Sequence, residues 1–265
     1  MKTSLIFLFI LVSVITAHSQ TLPLSTNSDS AKYFYYQGWD EVMNNGNYAA
    51  SEVAFRNMYA CDSSFVLGQA LLGRISDKAE EQKALIQSIE SNLDSANSDE
   101  QLVLKLFVEL IKRRVDQGSL TMDELSDLAI NNLGTISRTY PNEDYYFAEY
   151  IEWINNKSGA QAALDSINSL ATAAHHIMPF MIGFKVHLHL ELKQFDHAQI
   201  YLNQLENLIG GKAVAKMSTL QAEYYIARGN DAKALKLIQD TERLDPKNLE
   251  TPRLRQKISK TSSNR

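Results

Sequence analysis

The stretch that most constrains the fold is residues 220–246, which read LQAEYYIARGNDAKALKLIQDTERLDP. Its apolar residues recur at spacings of three and four on both sides of a central Gly-Asn pair, which is the period of an α-helix with one buried face. The stretch therefore predicts a helix over 220–228, a turn at Gly229-Asn230 and a second helix over 231–244. Such a hairpin exposes an apolar face that only a neighbouring helix can cover.

The residues at the ends of both helices support this hairpin. Gly229 suits the turn because a helix C-cap needs a positive φ, which glycine adopts without a Cβ clash. Asp231 can cap the second helix at its start. Asp245-Pro246 ends it, because the residue before a proline is pushed out of the α region.

The hairpin resembles a tetratricopeptide repeat (TPR), a helix pair of about 34 residues that stacks into superhelical arrays. Ala222 and Tyr225 match the small and aromatic positions of the first helix, and Ala234 matches the close-packing alanine of the second. Ile238 stands where the family outline has Phe, and Pro246 closes the unit. The Trp and the Gly of the family's first helix are absent here.

Related helix pairs recur along the chain. Ala163, Ala198 and Ala234 are 35 and 36 residues apart, close to the TPR period. Residues 31–62 predict a pair around the turn at 45–47, whereas 63–139 keep the rhythm of helix pairs without the family residues. A capping box is predicted at Ser98, at the start of one of these helices.

The resemblance implies an all-α fold, a TPR-like α-solenoid of about six antiparallel helix pairs plus a C-terminal capping helix. We expect this helical repeat domain over residues 31–260, with a short polar helix after Pro252 as its cap and a disordered tail over 261–265. Neighbouring pairs would cover each other's apolar faces in an open, curved row.

The N-terminus predicts export. Met1-Lys2 supplies positive charge, residues 5–15 are apolar, and Ala17-His18-Ser19 fits a small-x-small cleavage site. The apolar run is too short for a membrane span, which needs about 20 residues. We expect a signal peptide over 1–19, cleaved near Ser19, and a flexible leader over 20–30. The mature chain would have no membrane span and lie in the periplasm or outside the cell; an uncleaved anchor is the alternative.

Composition limits both the covalent staples and the partners. The single cysteine, Cys61, excludes an intramolecular disulfide, and its place near the end of an apolar-faced helix favours a small buried residue over a reactive thiol. The net charge is −5, but 12 of the 26 Lys and Arg, against six of the 31 Asp and Glu, lie from Lys212 onward. An acidic body argues against a nucleic-acid partner, and the basic end fits a solvated capping helix.

The sequence carries no catalytic motif. Phosphate-loop, dinucleotide-binding, zinc-protease, serine-hydrolase and Cys-x-x-Cys patterns are absent. His187 and His189 point about 200° apart on a helix and cannot share a metal. His187 and Glu191 are spaced for two ligands, but a third would have to come from elsewhere. We therefore predict a protein that is not an enzyme and holds no metal or cofactor.

The TPR resemblance implies a binding groove. In TPR arrays the first helix of each pair lines a concave face that binds peptides or protein segments, and its mixture of aromatic and polar groups here suits protein recognition. The alternative is that the tyrosines pack between helices and the groove is merely wet. The residues assigned to the groove are Tyr33, Tyr36, Asp40, Asn44, Tyr145, Glu152, Asn155, Phe180, His187, Glu191, Lys216 and Glu223.

These features together predict a non-catalytic protein–protein interaction scaffold that binds a protein or peptide partner of unknown identity. The Lys/Asn/Arg clamp with which TPR co-chaperones grip a carboxylate tail is not expected, because the matching positions are mostly Tyr, Asp, Glu and Asn. One alternative is an exported hydrolase or other enzyme on a helical scaffold, which a deep pocket with converging His and acidic side chains would favour. Another is a structural component of an envelope assembly.

Overall fold

The computed structural model describes residues 21–263, with side chains to residue 260. The predicted signal peptide lies outside the described residues. All regular structure in 21–263 is helical, which confirms the all-α fold class. The helices are α1 (Asp29–Asp40), α2 (Tyr48–Cys61), α3 (Val66–Ile75), α4 (Ala79–Ser91), α5 (Ser98–Arg114), α6 (Met122–Thr139), α7 (Asp144–Ser158), α8 (Ala160–Leu170), α9 (Pro179–Glu191), α10 (Phe195–Ile209), α11 (Ala215–Ala227), α12 (Asp231–Leu244) and α13 (Glu250–Ser263).

Three short segments of other helix types join this set. Glu41–Asn45 continues α1 as a π-helical turn and ends at Gly46, whose φ of 66° is left-handed. Leu93–Ser95 and His175–Ile177 are 3-10 turns. None of the helices within 21–263 combines the length and apolarity needed to cross a membrane.

The helix starts follow local capping chemistry, with two corrections to the sequence analysis. The predicted capping box lies one residue earlier, because Asn97 and Glu100, not Ser98, exchange side-chain and backbone hydrogen bonds at the start of α5. At α12 the cap is Asn230, whose side chain accepts from the N–H of Lys233. Asp231 is instead the first residue of that helix, where its negative charge interacts favourably with the helix dipole.

Pro179 and Pro252 also differ from their predicted roles. Pro179 is expected to close a helix pair, but it is the first residue of α9, where its missing N–H costs nothing. The capping helix α13 begins at Glu250, so Pro252 lies in its first turn rather than before it. Both differences move a helix boundary without changing the number of helices.

Three of the predicted pairs are closely packed, namely α1 with α2, α9 with α10 and α11 with α12, whereas α6 packs more closely against α7 than against its predicted partner α5. Gly38 lets α1 and α2 approach closely, since a Cβ there would lie 2.2 Å from Cε1 of Phe55. Across the same contact the Ser51 hydroxyl donates to the carbonyl of Gly38 at 2.8 Å. Five of the residues that carry the TPR resemblance are 0 % exposed, namely Ala163, Ala198, Ala222, Ala234 and Ile238, whereas Tyr225 is half-buried and Pro246 is exposed.

The sequence analysis expects an open row of helix pairs. In the structure the row is closed, because its first pair meets its last ones. The carboxylate of Asp245 accepts from the backbone N–H groups of Tyr48 at 2.7 Å and Ala49 at 3.2 Å. The side-chain amide of Asn248 donates to the carbonyl of Gly46 at 2.9 Å. We call this contact between the start of α2 and residues 245–248 the closure contact.

The closure contact has a physical reason in the backbone of α2. The first N–H groups of a helix have no partner within it, and the helix dipole favours a negative charge at that end. Asp245, which is 0 % exposed, supplies both an acceptor and a charge. Ion pairs from Lys247 to Glu52 at 2.5 Å and to Asp77 at 3.2 Å extend the same contact.

The leader is also packed rather than loose. Leu22 is 2 % exposed, and its N–H donates to the buried carboxylate of Glu143 at 2.8 Å. The N–H of Ser25 donates to Glu100 at 2.8 Å. Residues 21–28 therefore contact the helices, in contrast to the flexible leader expected from their polar composition.

The prediction that Cys61 is buried is wrong. Its side chain is exposed and free. Cys61 is the last residue of α2, and the chain leaves the helix at Asp62, whose φ of −154° is extended. Helical spacing places Cys61 in line with the apolar face of α2. The apolar face ends at Met58, however, so nothing covers Cys61.

We expect Asp245→Ala to lower the free energy of unfolding by about 2 kcal/mol, because it leaves two partly buried N–H groups at the start of α2 without their charged acceptor. Urea denaturation followed by far-ultraviolet circular dichroism measures the change. Asp94→Ala, which removes an exposed carboxylate with no role in the closure contact, should change the same quantity by less than about 0.5 kcal/mol. Equal effects of the two substitutions would show that the closure contact contributes nothing.

Candidate functional site

A cavity of about 480 Å³ lies where the first helix pair meets the later ones, within the range of about 300–1,000 Å³ typical of ligand pockets. We call it the central cavity. The large apolar side chains of its wall include Trp39, Phe55, Leu71, Phe180, Phe184 and Leu220. Its charged lining residues are Arg74, Glu149, Glu152, His187, Lys216, Glu223, Glu250 and Arg253.

Half of the groove residues assigned from the sequence line this one cavity. They come from three separate helices, α7, α9 and α11, each of which is the first helix of a predicted pair. Their inward-facing stripes converge because the chain curls. The six residues are Glu152, Asn155, Phe180, His187, Lys216 and Glu223. Glu191 lies beside the cavity, with its carboxylate 2.9 Å from Nε2 of His187.

The remaining groove residues, all but one from the first helix pair, are not brought into the cavity wall. Tyr33 is 63 % exposed and Tyr36 is 37 % exposed. Asn44 serves the backbone instead: its Oδ1 accepts from the N–H of Phe180 at 3.0 Å and its Nδ2 donates to Asp40 at 2.8 Å.

Tyr145 packs between helices, as the alternative interpretation of the groove tyrosines predicts. Its ring stacks on Trp39, with 5.5 Å between centroids and 8° between planes. Burial raises the pKa of Tyr145 far above its usual range, with the charge of Asp40 adding to the effect. This tyrosine therefore joins α7 to α1 and does not face a groove.

Four charged residues of the cavity are missed by the sequence analysis. Arg74 lies in the last turn of α3 and pairs with Glu149 at 2.6 Å. Arg253, from the capping helix, pairs with Glu250 at 2.6 Å. Helices α3 and α13 are not first helices of a recognised pair, so the TPR resemblance does not point to them. Glu149 could have been found, because it lies three residues before Glu152 on the same helix face.

His187 is held between two carboxylates. Its Nδ1 lies 2.9 Å from Glu223 and its Nε2 lies 2.9 Å from Glu191. Burial alone lowers the pKa of His187, but the hydrogen bonds and charges of Glu191 and Glu223 outweigh it and raise the pKa to about 9. The imidazole is therefore a cation at neutral pH and donates from both nitrogens.

The sequence analysis finds two potential metal ligands, His187 and Glu191, and the structure adds Glu223 as a third. The two carboxylates sit on opposite nitrogens of the ring, so they cannot converge on one ion. No group of three such ligands is placed to hold a metal anywhere in residues 21–263.

The carboxylate of Glu223 also lies close to cationic side chains other than His187. Glu223 is 7 % exposed, pairs with Lys257 at 2.7 Å and lies 3.7 Å from Arg253. Burial raises the pKa of Glu223, but His187 and Lys257 together lower it to about 2. This side of the cavity is a closed network of paired charges.

Glu152 and Lys216 differ from this network. In the described part of the chain neither forms a hydrogen bond or an ion pair, although Nζ of Lys216 lies 4.7 Å from the centroid of the Phe180 ring. Burial, with the charge of Glu149, raises the pKa of Glu152 to about 7. Burial lowers the pKa of Lys216. The two charges act on each other, because the charge of Lys216 lowers the pKa of Glu152 and the charge of Glu152 raises the pKa of Lys216. We call them the unmatched charges of the cavity because neither has a direct hydrogen-bonded or ion-paired partner.

The His187 network gives a pH dependence of stability. The pKa of about 9 in the folded chain lies above the value of about 6.5 for imidazole in an unfolded chain. The stabilisation is therefore complete below about pH 6.5 and is lost as the pH rises through 9. We expect the stability difference between the protein and a His187→Gln variant to shrink by roughly 2 kcal/mol from pH 6 to pH 9.5.

Urea denaturation of both proteins at the two pH values measures this loss. His197→Gln, a substitution of an exposed histidine on α10, is the matched control and should show a much smaller pH dependence. A stability difference for His187→Gln that stays constant with pH would contradict the ion network.

Comparison of the chain with protein-family models, with curated proteins and with solved structures finds no significant match. The resemblance to TPR repeats accordingly stays a prediction from the sequence. Function is inferred from the central cavity.

Proposed function

We propose that this chain is an exported, non-catalytic binding scaffold, a TPR-like α-solenoid that holds a segment of a partner protein in the central cavity. The observation that carries the proposal is the convergence of six groove residues from α7, α9 and α11 on one cavity of about 480 Å³. Stacked helix pairs commonly use such concave surfaces for binding.

The packing of the helix pairs supports the TPR-like part of this proposal. The alanines spaced 35 and 36 residues apart, at 163, 198 and 234, are all fully buried. A residue larger than alanine at such a position would push the two helices apart. The closure contact is the main difference from an open array.

The closure contact changes the kind of segment that can bind. It turns a long groove into a pocket, so an extended peptide cannot lie along the whole array. Asn156, Leu249 and Arg253 are exposed and also line the cavity, which places its mouth beside them. The geometry fits the end of a chain or a short loop inserted through this mouth.

The charges of the cavity favour a protein segment over a nucleic acid. Nucleic-acid sites carry an excess of cationic groups for the phosphates. Here four cationic side chains, Arg74, His187, Lys216 and Arg253, face four carboxylates, Glu149, Glu152, Glu223 and Glu250. Export to the periplasm or cell exterior rests on the N-terminal sequence alone.

One observation favours a second candidate, an exported hydrolase or other enzyme. Glu152 is a carboxyl group with a pKa of about 7 in a cavity that also holds an amine of lowered pKa, the pattern of a general acid–base pair. Glu152 would then give or take a proton. His187 is a poor base because both of its nitrogens donate to carboxylates.

Site-specific photo-crosslinking in the native cell tests the binding proposal. A photoreactive residue is placed at Leu249, which is 59 % exposed at the mouth, and separately at Ile200 on α10, which is 60 % exposed and lies outside the cavity wall. We expect a discrete protein adduct from position 249 and none of that mass from position 200. The same adduct from both positions, or none from 249, would exclude the cavity as the binding site.

The captured segment also separates the two candidates. A binding scaffold returns the segment intact, as judged by mass spectrometry after prolonged incubation with the purified protein. An enzyme returns a chemically altered segment with the native chain and an intact one with Glu152→Gln.

A further inference from the structure

We propose that the central cavity recognises a zwitterion, a ligand that presents an ammonium group to Glu152 and a carboxylate to Lys216, with an apolar body between them. The inference rests on the proposed function, since it names the chemistry of what the cavity binds. Two sources carry this chemistry: a free amino acid or short peptide, and the amino-terminal end of a polypeptide with an acidic residue next to it.

The first support is the pairing of every other charged side chain of the wall. The pairs are Arg74 with Glu149 at 2.6 Å, Arg253 with Glu250 at 2.6 Å, and His187 with Glu223 at 2.9 Å. One anion and one cation, Glu152 and Lys216, are left over. They sit on different helices, α7 and α11, and do not pair with each other within the described residues. A ligand of net charge zero that carries both signs matches this remainder.

The second support is a line of hydrogen-bond acceptors on α7. Glu149, Glu152 and Asn155 follow one another at spacings of three on the cavity side of the helix. Oε2 of Glu149 and Oδ1 of Asn155 are buried and have no hydrogen-bond partner. Glu149 is 4 % exposed, so bulk water does not serve it freely.

Buried acceptors without donors are costly, and native structures contain few of them. An ammonium group has three N–H donors and no acceptor, which is the complement of this line of oxygens. The carboxylate of Glu152, in its middle, supplies the opposite charge. Charged groups bound in this way form stronger hydrogen bonds than neutral ones.

The third support is the apolar surface between the two charges. Phe180 and Phe184 stack with 5.8 Å between centroids on α9, and Leu220 lies on the neighbouring helix α11. Lys216 stands over Phe180, so its amine is held at the edge of this apolar surface. A ligand with an apolar side chain would bury that side chain there while its two charged ends reach α7 and α11.

Isothermal titration calorimetry with the purified protein and the dipeptide leucyl-phenylalanine tests the proposal. Its N-acetyl form removes the ammonium charge, and its C-terminal amide removes the carboxylate. We expect the dipeptide to bind, and each blocked form to bind at least about tenfold more weakly, since each loses a charged hydrogen-bonding group.

Two substitutions assign each end of the ligand to its residue. Glu152→Gln should abolish the preference for the free amine but keep the preference for the free carboxylate, and Lys216→Met should do the reverse. A merely unfolded variant would lose both preferences together. Glu206→Gln and Lys105→Met, at exposed positions outside the cavity wall, are the matched controls and should keep both preferences.

A decapeptide beginning Leu-Asp, with and without N-terminal acetylation, distinguishes the two sources. Binding of the dipeptide alone identifies a small free zwitterion, and acetylation-sensitive binding of the decapeptide identifies the end of a polypeptide. The proposal is overturned if no probe binds at about 1 mM, or if blocking either end has no effect. If the proposal is overturned, a persistent crosslink from position 249 would still support the scaffold function. If the calorimetry gives the expected results but no crosslink forms, only the scaffold function is excluded.

Discussion

One buried carboxylate lies at the centre of the contact that closes the row of helix pairs. Asp245 accepts the first N–H groups of α2, and the two partners are 197 residues apart in the chain. Together with the hydrogen bonds of Asn248 to Gly46 and of Phe180 to Asn44, that contact holds the first helix pair against residues 179–250 and closes the row of pairs. The central cavity lies between those same elements, so the interaction that closes the fold also creates the site.

The sequence predicts well whatever depends on spacings of a few residues. The four glycines at the ends of helices, Gly46, Gly159, Gly210 and Gly229, all have positive φ, and the apolar stripes of α7, α9 and α11 face inward. Each of these features follows from local backbone geometry and helical period. For the same reason, six of the eight groove residues on these three helices converge in the structure.

The rest could not be predicted, because it depends on contacts between residues distant in the chain. Asp245 reads locally as a helix stop before Pro246, and nothing near it identifies the start of α2 as its partner. The pairing of Arg74 with Glu149 spans 75 residues. The TPR resemblance places Tyr33 and Tyr36 on the groove side of α1, but α1 packs through Tyr35, Gly38 and Trp39, so its other face stays outside the cavity.

The unmatched pair of charges in the cavity is what distinguishes a site from a packing defect. An empty space lined by apolar groups costs stability through lost contacts alone, and the cheapest remedy is a larger apolar side chain. Holding Glu152 and Lys216 half-buried in the cavity without direct partners also costs stability, and the paired ions around them show that the fold can satisfy charges where it needs only stability. Because natural chains keep such unsatisfied groups mainly where a ligand completes them, the cost itself points to Glu152 and Lys216 as the residues that meet the ligand.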